Sequence, residues 1–157
     1  MRAALLTLLS FMLFLSTSQA QQIRLGHRIP DIKILSEHGE DLKFINKEYV
    51  CLVFVHSESR PCMDALAHLR SISNHLNERM ATVLISAEDS TKSEAWRDLV
   101  DDNIYLTFDN NLHTFHAFGV NFVPFGVVYD TKRRRALWFG SLLQLQHEVL
   151  DEIILKQ

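Results

Sequence analysis

The stretch Tyr49-Val50-Cys51-Leu52-Val53-Phe54-Val55-His56-Ser57-Glu58-Ser59-Arg60-Pro61-Cys62 decides the fold class. Its first seven residues form an unbroken apolar run without alternation, the pattern of a central strand covered on both faces. From Pro61 the pattern changes: Cys62, Leu66, Leu69, Ile72, Leu76 and Met80 recur at three- and four-residue steps, while Asp64, His68, Ser71, His75 and Glu78 take another face. That spacing predicts an amphipathic helix of about five turns. Downstream, residues 81–87 predict a second buried strand, 91–100 a helix, 105–108 a short strand or loop, and 112–118 a short helix stopped by Gly119. Residues 124–130 and 136–139 predict two strands joined by a charged turn, and 142–155 a closing amphipathic helix. Upstream, residues 32–35 and 42–44 flank a turn and predict an N-terminal β-hairpin. The order implies an α/β fold with a central mixed β-sheet flanked by helices on both faces.

Composition sets the outer bounds. The 157 residues are 47% hydrophobic and 22% charged, with five Gly, three Pro and two Cys, which describes one globular domain and excludes disorder, collagen and a disulfide scaffold. A net charge of −3 supplies no broad positive field for a nucleic acid. Residues 1–20 carry one positive charge, an apolar run to Leu15 and small polar residues ending in Ser18-Gln19-Ala20. That is the order of a signal peptide cleaved after Ala20, leaving a domain of residues 21–157 that works in the periplasm or as a secreted protein. The run falls short of the ~20 residues that span a bilayer, so no stable membrane anchor is expected after cleavage.

Over nearly all of residues 25–154 the sequence resembles the thioredoxin superfamily, and within it the secreted redoxin or TlpA-type branch. The resemblance rests on Gly26, Pro30-Asp31 and His38-Gly39 at the opening, on Phe54 to Cys62, on Phe118-Gly119-Val120, and on Val123-Pro124 leading into a strand that ends at Asp130. It implies a thioredoxin-like fold with an N-terminal β-hairpin extension, and thiol-disulfide exchange at the start of the first long helix. The departure lies at the chemistry. The superfamily's Trp-Cys-x-x-Cys falls on Glu58-Ser59-Arg60-Pro61-Cys62, so the attacking Cys is Ser59 and only the resolving Cys remains. Each thiol has a separate task in dithiol exchange, which therefore cannot run within one chain. Cys51 lies about four residues inside the strand, too remote from Cys62 for a bridge that needs Cα atoms within ~7 Å.

The site residues that follow are Cys62 as candidate nucleophile, and a substrate groove of Glu58, Ser59, Arg60, Pro61, Val123, Pro124 and Phe125. Ser59 also suits a helix N-cap whose hydroxyl accepts a backbone N–H. Cys62 is drawn toward a thiolate by the helix start and Arg60, and toward a buried neutral thiol by its place on the apolar stripe. By resemblance Pro124 is the superfamily's cis-proline, whose preceding backbone meets an extended peptide; the alternative is a trans Pro at a strand start. His56 lies near enough in sequence to influence Cys62. His113 and His116 lack a third metal ligand, so no metal and no cofactor is called for. His68 and His75 read as solvent-exposed, and Lys132 to Arg135 as a solvated turn with some capacity to touch an anionic surface. Three functions remain open: a monothiol oxidoreductase, possible partners being thiol-containing proteins or peptides; a redox-inactive module binding a protein or peptide partner; and a one-cysteine peroxidase.

Overall fold

The computed structural model describes residues 23–31 and 46–155. The expected N-terminal hairpin of residues 32–44 lies outside the described residues, as does the signal segment. Strand β1 (Tyr49–Val55) is central, with β2 (Met80–Ser86) and β3 (Ile104–Phe108) on one side and β4 (Phe125–Asp130) and β5 (Arg135–Ser141) on the other. The sheet order is β3-β2-β1-β4-β5. The first three strands run parallel, and β4 lies antiparallel to both β1 and β5. Helices α1 (Arg60–Asp64), α2 (Leu66–His75), α3 (His113–Ala117) and α4 (His147–Leu155) complete the fold, with 3-10 turns at Ser90–Trp96 and Leu142–Gln144. Among the described residues no helix is long and apolar enough to cross a membrane.

The continuous apolar run of β1 has the reason its pattern implied. Tyr49, Cys51, Val53 and Val55 face a layer built from α1, α2, α4 and Trp96, while Val50, Leu52 and Phe54 face α3 and Ile29 of the N-terminal segment. Alternate side chains of one strand thus enter two separate cores, so no position on it could be polar without a partner.

Three helical expectations need correction. The five-turn helix is interrupted at Ala65 and ends at His75. Ala65 has ψ −5, its amide is shared between the Pro61 and Cys62 carbonyls, and its side chain is buried in the core. Leu76 leaves helical geometry at φ −125, and Met80 opens β2 instead, because Asn74 and Asn77 compete poorly for helix. The segment from Ser90 is a 3-10 turn ending at Trp96, not an α-helix reaching Val100. The closing helix starts only at His147, because Leu145 turns out of helix at ψ 90 so that it and Leu142 both reach the core.

Candidate functional site

Val55 ends β1, and residues 56–59 carry the chain into α1 at one end of the sheet. Ser59 stands before the helix with extended backbone, and its carbonyl accepts the amides of Cys62 at 3.0 Å and Met63 at 3.1 Å. Its hydroxyl makes no capping bond, contrary to expectation. Pro61 has no N–H to offer and the Cys62 amide is already committed, so the serine is left without a capping task.

Cys62 lies in the first turn of α1 and is 1% exposed, packed in the core layer that also holds Val53, Ala65 and Leu69. The apolar stripe therefore decides its placement. Cys51 is wholly buried in the same layer, where burial pushes its thiol up to about 12. Both thiols are free.

Phe125 pairs with Phe54 at the end of β1, which brings Val123 and Pro124 to the end of the sheet where α1 begins. The Val123–Pro124 peptide bond is cis. Val123 packs against the core layer that contains Cys62, and the Pro124 carbonyl accepts the Leu142 amide at 3.1 Å. Phe125 is itself buried rather than lining an open groove; its ring meets Phe122 edge-on at 5.3 Å and Phe139 at 6.4 Å. Phe122 is 48% exposed, and it is the aromatic surface beside Pro124 that the sequence reading passed over. The remaining groove candidates turn to local partners: Glu58 to Lys92 at 3.4 Å, and the exposed Arg60 to Asp64 at 3.6 Å. Pro61 is exposed.

His56 finds Glu88: its Nδ1 lies 3.7 Å from a Glu88 oxygen and accepts the Glu58 amide at 3.2 Å. His68 and His75 are not simply solvated. His68 reaches the Leu145 carbonyl at 3.0 Å and so ties α2 to the turn before α4, while His75 pairs with Asp151 at 2.8 Å and stacks on His147 at 4.3 Å, clasping α4 to α2. His113 and His116 are exposed on α3, and among the described residues no set of three or more His, Cys, Asp or Glu converges as metal ligands.

Glu88 is the residue of this region that the sequence reading missed. It is buried just past β2 and accepts the Ser57 amide at 2.8 Å, the Ser57 hydroxyl, and the Ser86 hydroxyl at 2.8 Å. A carboxylate directly after a buried parallel strand, at the sheet end where α/β sites form, was the available signal. Burial alone would raise its carboxyl, but the Ser57 and Ser86 hydrogen bonds and nearby His56 outweigh that and hold it below the usual range. It fixes the loop that leads to Ser59. A folded-state value below the unfolded one adds stability that is full above the unfolded Glu value near ~4.3 and is lost as pH falls through the folded value. Glu88→Gln should therefore cost about 1–3 kcal/mol at pH 7, and the gap to wild type should narrow below about pH 4. Urea melts across pH 3–7 would check this; a gap independent of pH would contradict it.

No protein-family model matches the chain, and no curated protein does. Solved structures do. A thiol:disulfide interchange protein assigned as DsbE, from Chlorobium tepidum, is 18% identical with a TM-score of 0.69, over 86% of this chain and 98% of that one. Peroxidoxin BcpB from Mycobacterium tuberculosis is 18% identical with a TM-score of 0.66, over 85% and 96%. A thioredoxin-like protein from Aeropyrum pernix is 14% identical with a TM-score of 0.64, over 80% and 89%. The central mixed sheet, the helix start at the end of β1 and these structural likenesses agree: the chain has a thioredoxin-like fold.

Proposed function

We propose that the protein is a binding module on a thioredoxin-like fold, which holds an extended segment of a protein partner against the Ser59 turn, the Val123-Pro124 backbone and exposed Phe122, without dithiol exchange. The observation that carries this reading is Ser59 in the attacking position together with a Cys62 that is 1% exposed. A thiol must reach a disulfide sulfur to exchange with it, and neither residue supplies one that can. Beside the Glu58–Lys92 and Arg60–Asp64 pairs, this end of the sheet offers backbone and the exposed Phe122 ring, which suit the binding of an extended chain.

The monothiol oxidoreductase reading keeps one specific support: Cys62 occupies the first turn of α1 at the end of β1, and neighbours of this fold include an interchange protein and a peroxidoxin. It and the peroxidase reading both require the Cys62 sulfur to become reachable. Alkylation of the native protein by N-ethylmaleimide, followed by mass spectrometry from pH 5 to 9, separates them. The binding reading expects Cys62 to stay unmodified until the protein unfolds, and amide NMR shifts at Ser59, Val123 and Phe122 on titration with a reduced, carboxymethylated unfolded protein. Rapid alkylation with an acidic midpoint would move the assignment to an enzyme, and shifts scattered away from those residues would remove the site.

In this reading the protein acts outside the cytosol, after loss of residues 1–20. Mass spectrometry of the exported protein should find the N-terminus at Gln21 or Gln22; a cytosolic protein retaining Met1 would overturn the export proposal.

A further inference from the structure

The turn between β4 and β5 reads Thr131-Lys132-Arg133-Arg134, with Arg135 opening β5, and the segment beside it reads Arg24-Leu25-Gly26-His27-Arg28. The fold joins the two. The Gly26 amide donates to the Ala136 carbonyl at 2.7 Å, the Ile29 amide to the Arg134 carbonyl at 2.8 Å, and the Ala136 amide to the His27 carbonyl at 2.9 Å. Arg28 and Arg135 consequently stand directly opposite each other on neighbouring backbones. Like charges in that relation oppose the pairing that brings them together, and an anion between them would relieve it.

Arg24, Arg28 and residues 132–135 place six of the chain's 16 basic residues on this one edge of a molecule whose net charge is −3. Among the described residues, Asp31, Asp130 and Glu48 are the acidic groups near them. Asp31 is divided between Arg28 at 3.3 Å and Arg134 at 2.7 Å, Asp130 lies 4.0 Å from Arg133, and Glu48 is held by Arg79 at 2.7 Å. Within this basic edge sits one apolar side chain, Leu25, which is 60% exposed at a turn whose Gly26 has φ +75. Polyanions in solution ask for charge and gain nothing from a protruding leucine. An anionic bilayer surface uses both, the cations at its phosphates and the apolar tip at the boundary below them.

We infer that this edge is a peripheral docking surface for anionic phospholipid, with Arg24, Arg28, Lys132 and Arg135 on the headgroups and Leu25 inserted between them. The surface is at the opposite end of β4 from Pro124, so a partner segment at the candidate site and a bilayer at this edge meet different parts of the molecule.

Vesicle co-sedimentation of the protein beginning at Gln21 tests the inference, with phosphatidylcholine vesicles compared against vesicles containing about a third phosphatidylglycerol. Binding to the anionic vesicles should exceed binding to the neutral ones and should fall steeply with salt. The Lys132→Glu/Arg135→Glu double variant should lose at least about tenfold in that preference, and Leu25→Ser should weaken binding several-fold with the charge unchanged. Circular dichroism melts confirm that each variant is folded. Equal binding to both vesicle types, or a double variant that binds as wild type does, overturns the inference. So does Leu25→Ser binding unchanged while a soluble polyglutamate competes fully, which would assign the edge to an acidic protein partner.

Discussion

The Ser59→Cys variant should reduce insulin disulfides with a dithiol reductant at a rate on the order of a hundredfold above wild type, because exchange depends on a reachable thiolate. Ser59 is partly exposed and directly precedes α1, while Cys62 lies three residues on, in the first helical turn. A thiol at the start of a helix, with a second thiol at C-x-x-C spacing, has a depressed pKa and a partner to release the mixed disulfide. Its sulfur would attack the substrate bond and the Cys62 sulfur would then displace the reduced product, closing an internal disulfide that the added dithiol reopens. Adding Cys62→Ala to this variant should leave the attack intact and stall the cycle at the mixed disulfide. Wild-type protein already turning over as fast as the variant would contradict the assignment of Ser59 as the missing nucleophile.

The largest stability effect is expected at Phe54. Its side chain is wholly buried, with the Phe115 ring edge-on at 5.0 Å, Phe118 at 5.4 Å and Phe125 at 6.2 Å. Phe54→Ala empties the point where β1, α3 and the start of β4 meet, and such truncations cost about 3–5 kcal/mol. Against a total of about 5–15 kcal/mol for an ordinary domain, that leaves the fold marginal at 37 °C. A urea midpoint lowered by on the order of 2 M is expected, with Phe54→Leu in between. A loss below about 1 kcal/mol would mean that the aromatic rings collapse into the space.

The central sheet was legible in the sequence because β1 declares its two-sided burial residue by residue, and because Gly119 and the Val123-Pro124 pair punctuate the chain where the elements change. The helix ends were less so. Leu76 and Met80 continue the apolar stripe of α2 perfectly well as letters, yet Met80 belongs to β2, since a turn can bring the same two residues to one core as readily as a helix can. At the site, the missing thiol was visible in a single letter, but which way Cys62 would face depended on the tertiary balance between the start of α1 and the core. Glu88 stood in a legible place just past β2, but its bonds to Ser57, 31 positions away, and the His75–His147 pairing, more than 70 positions apart, lie beyond the reach of any local pattern.

The three backbone hydrogen bonds that tie residues 26–29 to residues 134–136 also impose an order in time. Their two halves are separated by about a hundred residues of chain, and loop closure over that length is slow and gives nothing back until both ends are in place. A chain delivered from its N-terminus holds Gly26 and Ile29 idle until β5 has emerged, while β1 and β2 can already pair across the α1–α2 connection. The basic edge therefore cannot close before β5 is delivered, and until then the arginines at positions 24 and 28 lack the neighbours that later oppose them.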